Sequence, residues 1–378
     1  MKRVLITGGA GFIGQRTAQA LVRHGYEVRV LDKLTTPVHP NGSWPKGIAD
    51  IAECIEGDVQ SDRDLLRALR GVQAVLHLAA YQDYLPDFST FIKTNAASTA
   101  LLYELIVAHR LPVERIVIAS SQSVYGEGAY VCEAHGMQFP DARRSEQLQA
   151  GDWEIRCSGC RSALSWRPTD EAHPNPQNPY GISKLSQELI GISLGRRYKV
   201  PTVALRYSIT QGAGQSFHNA YSGICRTFSI CALQRKRLPV YEDGRQQRDY
   251  VYVEDVVAAN LLALADARAD YQSYNVGGHQ AMSVLAYARL VRELAGVDVP
   301  IQISGTFRVG DTRHIVSDSS KLIALGWRRT LGVAEIVKEY LGWAATQPLP
   351  ANVADAAQER MRRLAVVGAA DPPRNAGG

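Results

Sequence analysis

The fold is decided by residues 3–14, RVLITGGAGFIG. The β-branched start of this stretch predicts a buried strand, and the amphipathic period of residues 13–24 predicts the helix that follows. Between them Gly8, Gly11 and Gly14 let the backbone come close to a ligand, and the helix N-terminus offers N–H donors and a positive dipole to a pyrophosphate. A glycine-rich turn of this kind can also serve only tight packing of strand against helix, so the next strand decides between the two.

The next predicted strand ends at Asp32, 18 residues beyond Gly14. A carboxylate at that distance can accept hydrogen bonds from the ribose hydroxyls of an adenosine. A 2′-phosphate would be repelled by Asp32, and Lys33 alone offers a modest counter-charge. The glycines and the carboxylate together therefore predict an NAD site.

Strand-like and helical segments alternate through the first half of the chain. Short β-branched apolar runs lie at residues 3–7, 27–31, 74–78 and 115–120, and stretches of helical period lie at residues 13–24 and 88–109. Gly25 is the expected left-handed residue after the first helix. The alternation indicates βαβ units, and hence an α/β, Rossmann-type fold with a doubly wound parallel sheet.

The organisation changes along the chain. We expect residues 1–207 to form the NAD-binding domain, with an insert over 127–170 that is too small and polar to have a core of its own. Residues 208–347 are shorter, mixed elements that predict a smaller C-terminal lobe for the substrate, with some segments returning to the first domain. Residues 348–378 offer little apolar surface and predict a partly ordered tail.

Composition narrows the classes of function. The chain has 378 residues, 46% of them hydrophobic, and a net charge of +5 that is spread along the sequence. Without a basic run there is no nucleic-acid footprint. Glycines interrupt the only apolar stretch near the N-terminus, and no later run is long enough to span a bilayer. We therefore expect a cytoplasmic protein that binds neither nucleic acid nor membrane.

Three further residues carry acid–base chemistry. Ser121 follows the strand that ends near residue 120, and Tyr180 and Lys184 lie one turn apart on one face of a predicted helix. A phenol has a pKa of about 10, and lowering it to about 7 takes roughly 4 kcal/mol. The ammonium of Lys184 and a nicotinamide cation can supply this in a cleft of low dielectric. A Tyr-x-x-x-Lys pair alone is more often surface structure.

With the glycine motif and the Ser121 loop, this pair resembles the extended short-chain dehydrogenase/reductases, in particular the sugar-nucleotide epimerases and dehydratases. The resemblance covers residues 1–345 apart from the insert. It implies that Ser121 holds the reacting hydroxyl, that Tyr180 is the acid/base, and that Lys184 binds the nicotinamide ribose. The cofactor-binding residues it implies are Gly8, Gly11, Phe12, Ile13, Gly14, Asp32, Asp58, Val59, Leu78, Ala79, Ala80, Asn95, Tyr180 and Lys184.

The same resemblance places a nucleotide-sugar substrate on Ser121, Ser123, Arg248 and Arg308, with the two guanidinium forks on the diphosphate. Dehydratases of the family carry an Asp-Glu pair where this chain has Gln122 and Ser123. The resemblance therefore implies a 4-epimerase that oxidises C4 transiently and returns the hydride. Alternatives are another NAD-dependent sugar-nucleotide oxidoreductase or decarboxylase, and a non-catalytic NAD-sensing protein.

One departure concerns the sugar. After Arg206 and Tyr207 the family usually has an Asn that touches the substrate, and here Ser208 follows.

The family also implies a homodimer, formed through the helices that carry Asn95 and Tyr180.

The insert carries two short knuckles, Cys132-x-x-His135 and Cys157-x-x-Cys160. These ligand types and this spacing are those of a structural Cys3His zinc site. Reduced thiols beside a surface histidine and a redox-active Cys-x-x-Cys are the alternatives. A zinc insert at this place resembles a subgroup of the family that acts on dTDP-linked 6-deoxyhexoses such as dTDP-L-rhamnose.

Overall fold

A seven-stranded parallel sheet forms the centre of the protein, in the order β13-β9-β5-β4-β1-β2-β3. The computed structural model describes residues 2–83, 85–218, 223–351, 359 and 361–371. The strands of the sheet are β1 (Arg3–Thr7), β2 (Glu27–Asp32), β3 (Glu53–Glu56), β4 (Ala74–His77), β5 (Arg115–Ser121), β9 (Thr202–Tyr207) and β13 (Gln272–Val276). The predicted α/β fold with a parallel sheet is confirmed.

Helices cover both faces of this sheet, as the βαβ rhythm requires. They are α1 (Phe12–Arg23), α2 (Asp62–Leu69), α3 (Phe88–Phe91), α4 (Ser98–Ala108), α6 (Pro179–Tyr198), α8 (Val253–Ala265) and α10 (Ser320–Ala324). One apolar core lies under α1 and α8, and a second lies under α2 and α4. The left-handed residue expected after α1 is present, because Gly25 has a φ of +80°.

The helix predicted over residues 88–109 is interrupted. Between α3 and α4 the chain makes a π-helical turn over Ile92–Ala97. Such a turn widens the backbone by one residue and turns the side chains that follow it. Periodicity alone did not reveal this break, because apolar residues continue on both sides of it.

The C-terminal lobe has its own apolar core, built from α7 (Gly223–Leu233), α9 (Val284–Leu294) and α11 (Val333–Ala345). Its short strands are β10 (Ile209–Gln211), β11 (Leu238–Val240), β12 (Gln247–Tyr252), β14 (Ala281–Ser283), β15 (Ile301–Ile303) and β16 (Thr306–Arg308). Three of the described segments after residue 208 return to the large sheet, the helices α8 and α10 and the strand β13.

Part of the predicted tail is ordered. Strand β17 (Val367–Ala369) pairs antiparallel with β16, and the amide of Asp371 donates to the carbonyl of Gln149 at 2.8 Å. Residues 352–358, 360 and 372–378 of the tail lie outside the described residues.

The insert forms a small sheet of β6 (Ala129–Cys132), β7 (Gly136–Gln138) and β8 (Ser165–Arg167), with the short helix α5 (Ser145–Gln149). The expectation that it has no core was wrong. Tyr130, Ile155 and Leu164 pack with two of the cysteines into a buried cluster. Within the described part of the chain, no helix has the length and apolar character needed to cross a membrane.

Candidate active site

A large cleft opens at the carboxyl edge of the parallel sheet, where folds of this type bind ligands. Its volume is about 1140 Å³, and both the sheet domain and the C-terminal lobe line it. Thirteen of the fourteen residues proposed for the cofactor line the cleft, as do all four proposed for the substrate. The exception among them is Asn95. The cleft is therefore continuous from the glycine loop to the second lobe.

The glycine loop is shaped so that side chains do not fit. Gly8 has a φ of +69°, and a Cβ there would lie 2.7 Å from the backbone of Ala79. A Cβ on Gly14 would lie 2.6 Å from the carbonyl oxygen of Gly8. Gly11 caps the N-terminus of α1. Because the loop has no side chains at these positions, the backbone N–H groups in the first turn of α1 remain accessible. A pyrophosphate that binds at a helix N-terminus requires such access.

Asp32 stands at the end of β2, facing this loop. One carboxylate oxygen accepts from the amide of Ala10 at 3.0 Å, and the other accepts from the amide of Leu34 at 3.0 Å. His39, which sequence reasoning did not single out, has its Nε2 atom 3.7 Å from the same carboxylate. Lys33 pairs with Asp58 at 2.7 Å. The charge of Lys33 is therefore paired with Asp58 and not with Asp32.

Tyr180 and Ser121 meet in the middle of the cleft. Tyr180 lies in the first turn of α6, which begins after Asn178 because the side chain of Asn178 accepts from the amide of Gly181 at 2.8 Å. The hydroxyl oxygen of Ser121 accepts from the amide of Ser123 at 3.2 Å and lies near the phenol of Tyr180. Burial raises the pKa of Tyr180 to about 12, although the neighbouring Ser121 hydroxyl lowers it.

Lys184 lies one turn further along α6, with its Nζ atom 5.9 Å from the centre of the Tyr180 ring. The ammonium donates to the carbonyl of Ala119 at 2.7 Å and to Gln187 at 2.9 Å. Burial lowers the pKa of Lys184 to about 7, and the charge of Glu188 raises it. The residues alone thus hold the Tyr180 phenol neutral, and the expected lowering of its pKa remains a prediction for the complex with NAD.

Asn95 joins two elements of the cleft wall. Its side chain is fully buried. The amide accepts from the backbone N–H of Tyr81 at 2.8 Å and donates to the carbonyl of Tyr81 and to the hydroxyl of Ser183. Asn95 therefore ties the loop after β4, which lines the cleft, to the helix α6 that carries Tyr180. Its contact with the cofactor stays a prediction.

Several buried polar atoms of residues that line the cleft lack a hydrogen-bond partner among the described residues. Those in the Ser121 loop are the hydroxyl oxygen of Ser123 and the amide oxygen of Gln122. A buried polar group without a partner costs free energy, so such atoms in a cleft indicate a polar ligand. Sequence reasoning used Gln122 only to exclude a carboxylic acid; its place between two serines was the signal for a binding residue.

The departure at Ser208 has a structural cause. Its hydroxyl donates to the carboxylate of Asp249 at 2.7 Å and lies 2.8 Å from the hydroxyl of Ser317. Burial raises the pKa of Asp249 to about 6. A serine at this place therefore closes a polar network at the wall of the cleft, instead of extending an amide into it.

The two arginines proposed for the diphosphate lie on neighbouring segments of the second lobe. The guanidinium of Arg248 donates to the carbonyls of Thr312 and Arg313 at 2.6 and 2.9 Å. Arg308 donates to Asp311 at 3.3 Å, and its guanidinium lies 5.6 Å from the centre of the Tyr241 ring. The structure therefore ties both cations of the cleft to the same segment, residues 311–313.

The four predicted metal ligands converge in the insert, with all their ligand atoms within 4.8 Å of one another. The sulfurs of Cys132 and Cys160 are 3.6 Å apart, and Nδ1 of His135 lies 3.5 and 3.4 Å from the sulfurs of Cys132 and Cys157. A disulfide would need about 2.05 Å. The edges match a tetrahedron with Zn–S of about 2.3 Å and Zn–N of about 2.0 Å.

The glycine loop, the carboxylate of Asp32 at the end of β2 and the tyrosine–lysine pair are typical of a dinucleotide-dependent enzyme of the dehydrogenase/reductase class. The family model described as "NAD dependent epimerase/dehydratase family" matches residues 4–144 and 164–277. The chain belongs to this family, and it is an enzyme that uses NAD. The gap between the two matched segments falls within the insert.

Relatives of established name agree with this assignment. The chain is 33% identical to a dTDP-L-rhamnose 4-epimerase of Burkholderia thailandensis, over 92% of this chain and 96% of the relative. It is similar to the solved UDP-glucose 4-epimerase of Thermotoga maritima with UDP-glucose, at 26% identity and a TM-score of 0.74, over 90% of this chain and 98% of that one. The UDP-glucose 4-epimerase of Thermus thermophilus in complex with NAD matches at 27% identity and a TM-score of 0.71, over 92% of this chain and 100% of that one.

Proposed function

We propose that the protein is an NAD-dependent 4-epimerase of a nucleoside-diphosphate sugar. The observation that carries the proposal is the neighbouring pair of Tyr180 and Ser121, which lines one cleft together with the glycine loop and Arg248. Gln122 and Ser123 stand beside the pair, and neither can serve as a carboxylic acid. The arrangement therefore supports chemistry at one hydroxyl-bearing carbon and does not support elimination of water.

The residues of the loop fit the dinucleotide. Side chains at Gly8 and Gly14 would collide with neighbouring backbone, so this turn leaves room for a pyrophosphate, and Asp32 is the acceptor for the ribose. When bound, NAD supplies the group that takes the hydride from C4 of the sugar and returns it, together with a positive charge near Tyr180. Lys184 is the residue that reaches the nicotinamide ribose.

Side chains of the protein would transfer the proton of the C4 hydroxyl. Ser121 orients the C4 hydroxyl of the sugar toward Tyr180, and the Tyr180 oxygen accepts that proton and later gives it back. The unpartnered oxygens of Ser123 and Gln122 accept hydrogen bonds from other hydroxyls of the substrate. Arg248 and Arg308 bind the diphosphate, for which planar guanidinium forks are suited.

For the particular substrate we propose a dTDP-linked 6-deoxyhexose such as dTDP-L-rhamnose. The relative from Burkholderia thailandensis, whose name carries that substrate, and the zinc-type insert support this choice. The test is to incubate the NAD-loaded enzyme with dTDP-, UDP- and GDP-sugars and to follow the products by NMR. We expect interconversion of two C4 epimers of one dTDP-sugar without net reduction of NAD. Stoichiometric reduction of NAD, or loss of carbon dioxide, would instead support an oxidoreductase or a decarboxylase.

We further propose that the insert holds one structural zinc ion on Cys132, His135, Cys157 and Cys160. Gln138 donates to the sulfur of Cys157 at 3.2 Å, the kind of outer hydrogen bond that orients a thiolate ligand.

Metal analysis of protein purified without chelator should give one zinc per chain. Cys157→Ser should lose it, while Cys54→Ser, which lies outside the knuckles, should keep it. Wild-type protein without stoichiometric zinc would refute this site.

A homodimer through the helices flanking the site is also proposed. Four exposed apolar side chains lie on α3, α6 and the π-helical turn, which pack together: Phe88, Ile92, Ile182 and Leu189. A patch of this kind on adjacent helices fits the same patch of a second copy. Leu189→Glu should shift sedimentation toward the monomer, and Ile303→Glu, an exposed apolar position of the C-terminal lobe, should not. A wild-type protein that sediments as a monomer would contradict this proposal.

A further inference from the structure

The insert touches the C-terminal lobe along the loop that follows β16, residues 309–314, which carries the carbonyls that hold Arg248. Glu127 accepts from the amide of Arg313 at 2.6 Å, and the hydroxyl of Tyr130 accepts from the amide of His314 at 3.2 Å. The backbone of this loop is therefore bonded directly to the first residues of the insert.

A buried network of charges strengthens this contact. Arg143 of the insert forms a fork with both oxygens of Glu242, at 3.0 and 2.9 Å, and also donates to the carbonyl of Asp311 at 3.0 Å. Arg313 of the loop bonds Glu242 at 2.9 Å and Asp243 at 2.7 Å. The side chains of Arg143 and Arg313 are 2% and 0% exposed. Buried forks of this geometry hold their partners in one arrangement.

The metal-binding half of the insert takes part through Glu154. Its carboxylate accepts from Arg313 at 2.6 Å and lies 3.5 Å from the ring of His314. Glu154 is three residues before the ligand Cys157, and the backbone between them is paired with the strand that leads away from the knuckle, Ile155 with Leu164 and Cys157 with Ser162. The knuckle thus fixes where Glu154 lies.

The network ends at the cations of the cleft. Arg248 is oriented by the carbonyls of Thr312 and Arg313, which belong to the loop that Arg143 and Glu127 hold. Arg308 is paired with Asp311 of the same loop. Any displacement of this loop moves the acceptors that aim both guanidinium groups.

We infer that the insert is a positioning element for the nucleoside-diphosphate end of the substrate site, acting through the Arg143, Glu154 and Arg313 network on Arg248 and Arg308. This inference rests on the proposed function, which assigns the diphosphate to those two arginines. The insert then orients the two arginines of its own chain. It does not cover the sugar or contact a second subunit in this role.

The test uses Glu154→Gln, because its half-exposed side chain can lose its charge without leaving a deeply buried group unpaired. The matched control is Asp152→Asn, two residues away, which breaks an exposed ion pair with Arg156 and does not touch the loop. The probes are dTDP and UDP, titrated into the NAD-loaded, zinc-containing enzyme by calorimetry. Misplacing a positioned group in an active site by about 1 Å can lower the rate up to about a hundredfold. For the two displaced guanidinium groups we expect the affinity for the diphosphate to fall about tenfold.

Three other readouts separate positioning from general damage. Zinc content, NAD affinity and kcat at saturating sugar should stay at the wild-type level in Glu154→Gln, while KM for the nucleotide sugar rises with the loss of diphosphate affinity. Arg143→Lys is the second variant: it keeps the charge and loses the fork that reaches both Glu242 and Asp311. It should behave in the same way as Glu154→Gln.

One set of results would refute the diphosphate assignment, and another would refute the positioning role of the insert. If Arg248→Gln and Arg308→Gln bind dTDP and UDP as tightly as the wild type, the diphosphate assignment of the proposed function fails. If those two variants bind weakly while Glu154→Gln and Arg143→Lys bind as the wild type or as Asp152→Asn, the assignment stands and the positioning role of the insert is wrong. An equal loss of NAD affinity in Glu154→Gln would also refute that role.

Discussion

Replacing Lys184 by Met tests whether the charge of Lys184 lowers the pKa of the buried Tyr180 phenol enough for it to act as a base. Lys184→Met keeps the length of the side chain and removes the ammonium beside Tyr180. Burial raises the pKa of Tyr180 to about 12 even with Ser121 acting against it, so a proton acceptor at neutral pH needs nearby positive charge. A cation stabilises the phenolate, and loss of the cation must therefore raise the pKa of Tyr180 further.

The size of the effect follows from the geometry. With 5.9 Å between Nζ of Lys184 and the centre of the Tyr180 ring, Coulomb's law at an effective dielectric constant of about 20 gives about 3 kcal/mol. That is about two units of pKa. The phenolate in turn favours the charged form of Lys184, whose own pKa burial lowers to about 7, so the two groups titrate as a coupled pair.

The assay is the pH dependence of kcat at saturating NAD and sugar. Below the pKa of its base the rate rises tenfold per pH unit, so Lys184→Met should be about a hundredfold slower at a given pH, with its rising limb displaced upward by about two pH units. Loss of a ribose contact alone would weaken NAD binding and leave the limb in place. The control is Lys321→Met, which removes an ammonium 4.5 Å from the centre of the Tyr274 ring, outside the cleft. A rising limb at the wild-type pH in Lys184→Met would falsify the electrostatic role.

Three further outcomes are expected. Tyr180→Phe should keep NAD affinity and lose at least about a hundredfold in kcat, the scale of a positioned acid/base, whereas Tyr125→Phe, whose hydroxyl bonds Asn275 at 2.6 Å outside the cleft, should lose stability only. NAD should bind well over about tenfold more tightly than NADP by calorimetry, because a 2′-phosphate would face Asp32; equal affinities would contradict this. In heavy water the epimerised sugar should carry no carbon-bound deuterium by mass spectrometry, since Gln122 and Ser123 cannot abstract a proton from carbon; deuterium incorporated at the rate of turnover would rule out hydride return.

The sheet domain could be predicted because its determinants are local. The strand at residues 3–7 is the one observed, and the glycines after it are required by a backbone that leaves no room for a Cβ at Gly8 or Gly14. Ser121, Tyr180 and Lys184 follow the same logic, because a strand end and a helix face fix where each side chain points. The geometry of a short, regular element depends on residues that are close together in the chain. Such geometry can therefore be recognised in a sequence.

Prediction is harder where a role depends on residues distant in the chain. Asn95 was predicted to bind the cofactor, and the structure adds that its amide bonds Tyr81 and Ser183, whose positions depend on the π-helical turn and on α6. The pKa of Tyr180 is another case. Spacing on α6 places Lys184 one turn away, but the pKa depends on burial, which the whole cleft determines.

The insert extends this argument to substrate binding. Its proposed metal ligands could be recognised because two knuckles are local patterns, but its partners Glu242 and Arg313 lie far along the chain and carry no pattern of their own. In the proposed function, the chemistry at C4 rests on the sheet and α6, while the cations for the diphosphate rest on a loop held by the insert. Because the two halves of the site are held by different parts of the chain, changes in the insert should alter how tightly the nucleoside diphosphate binds without altering the acid/base pair.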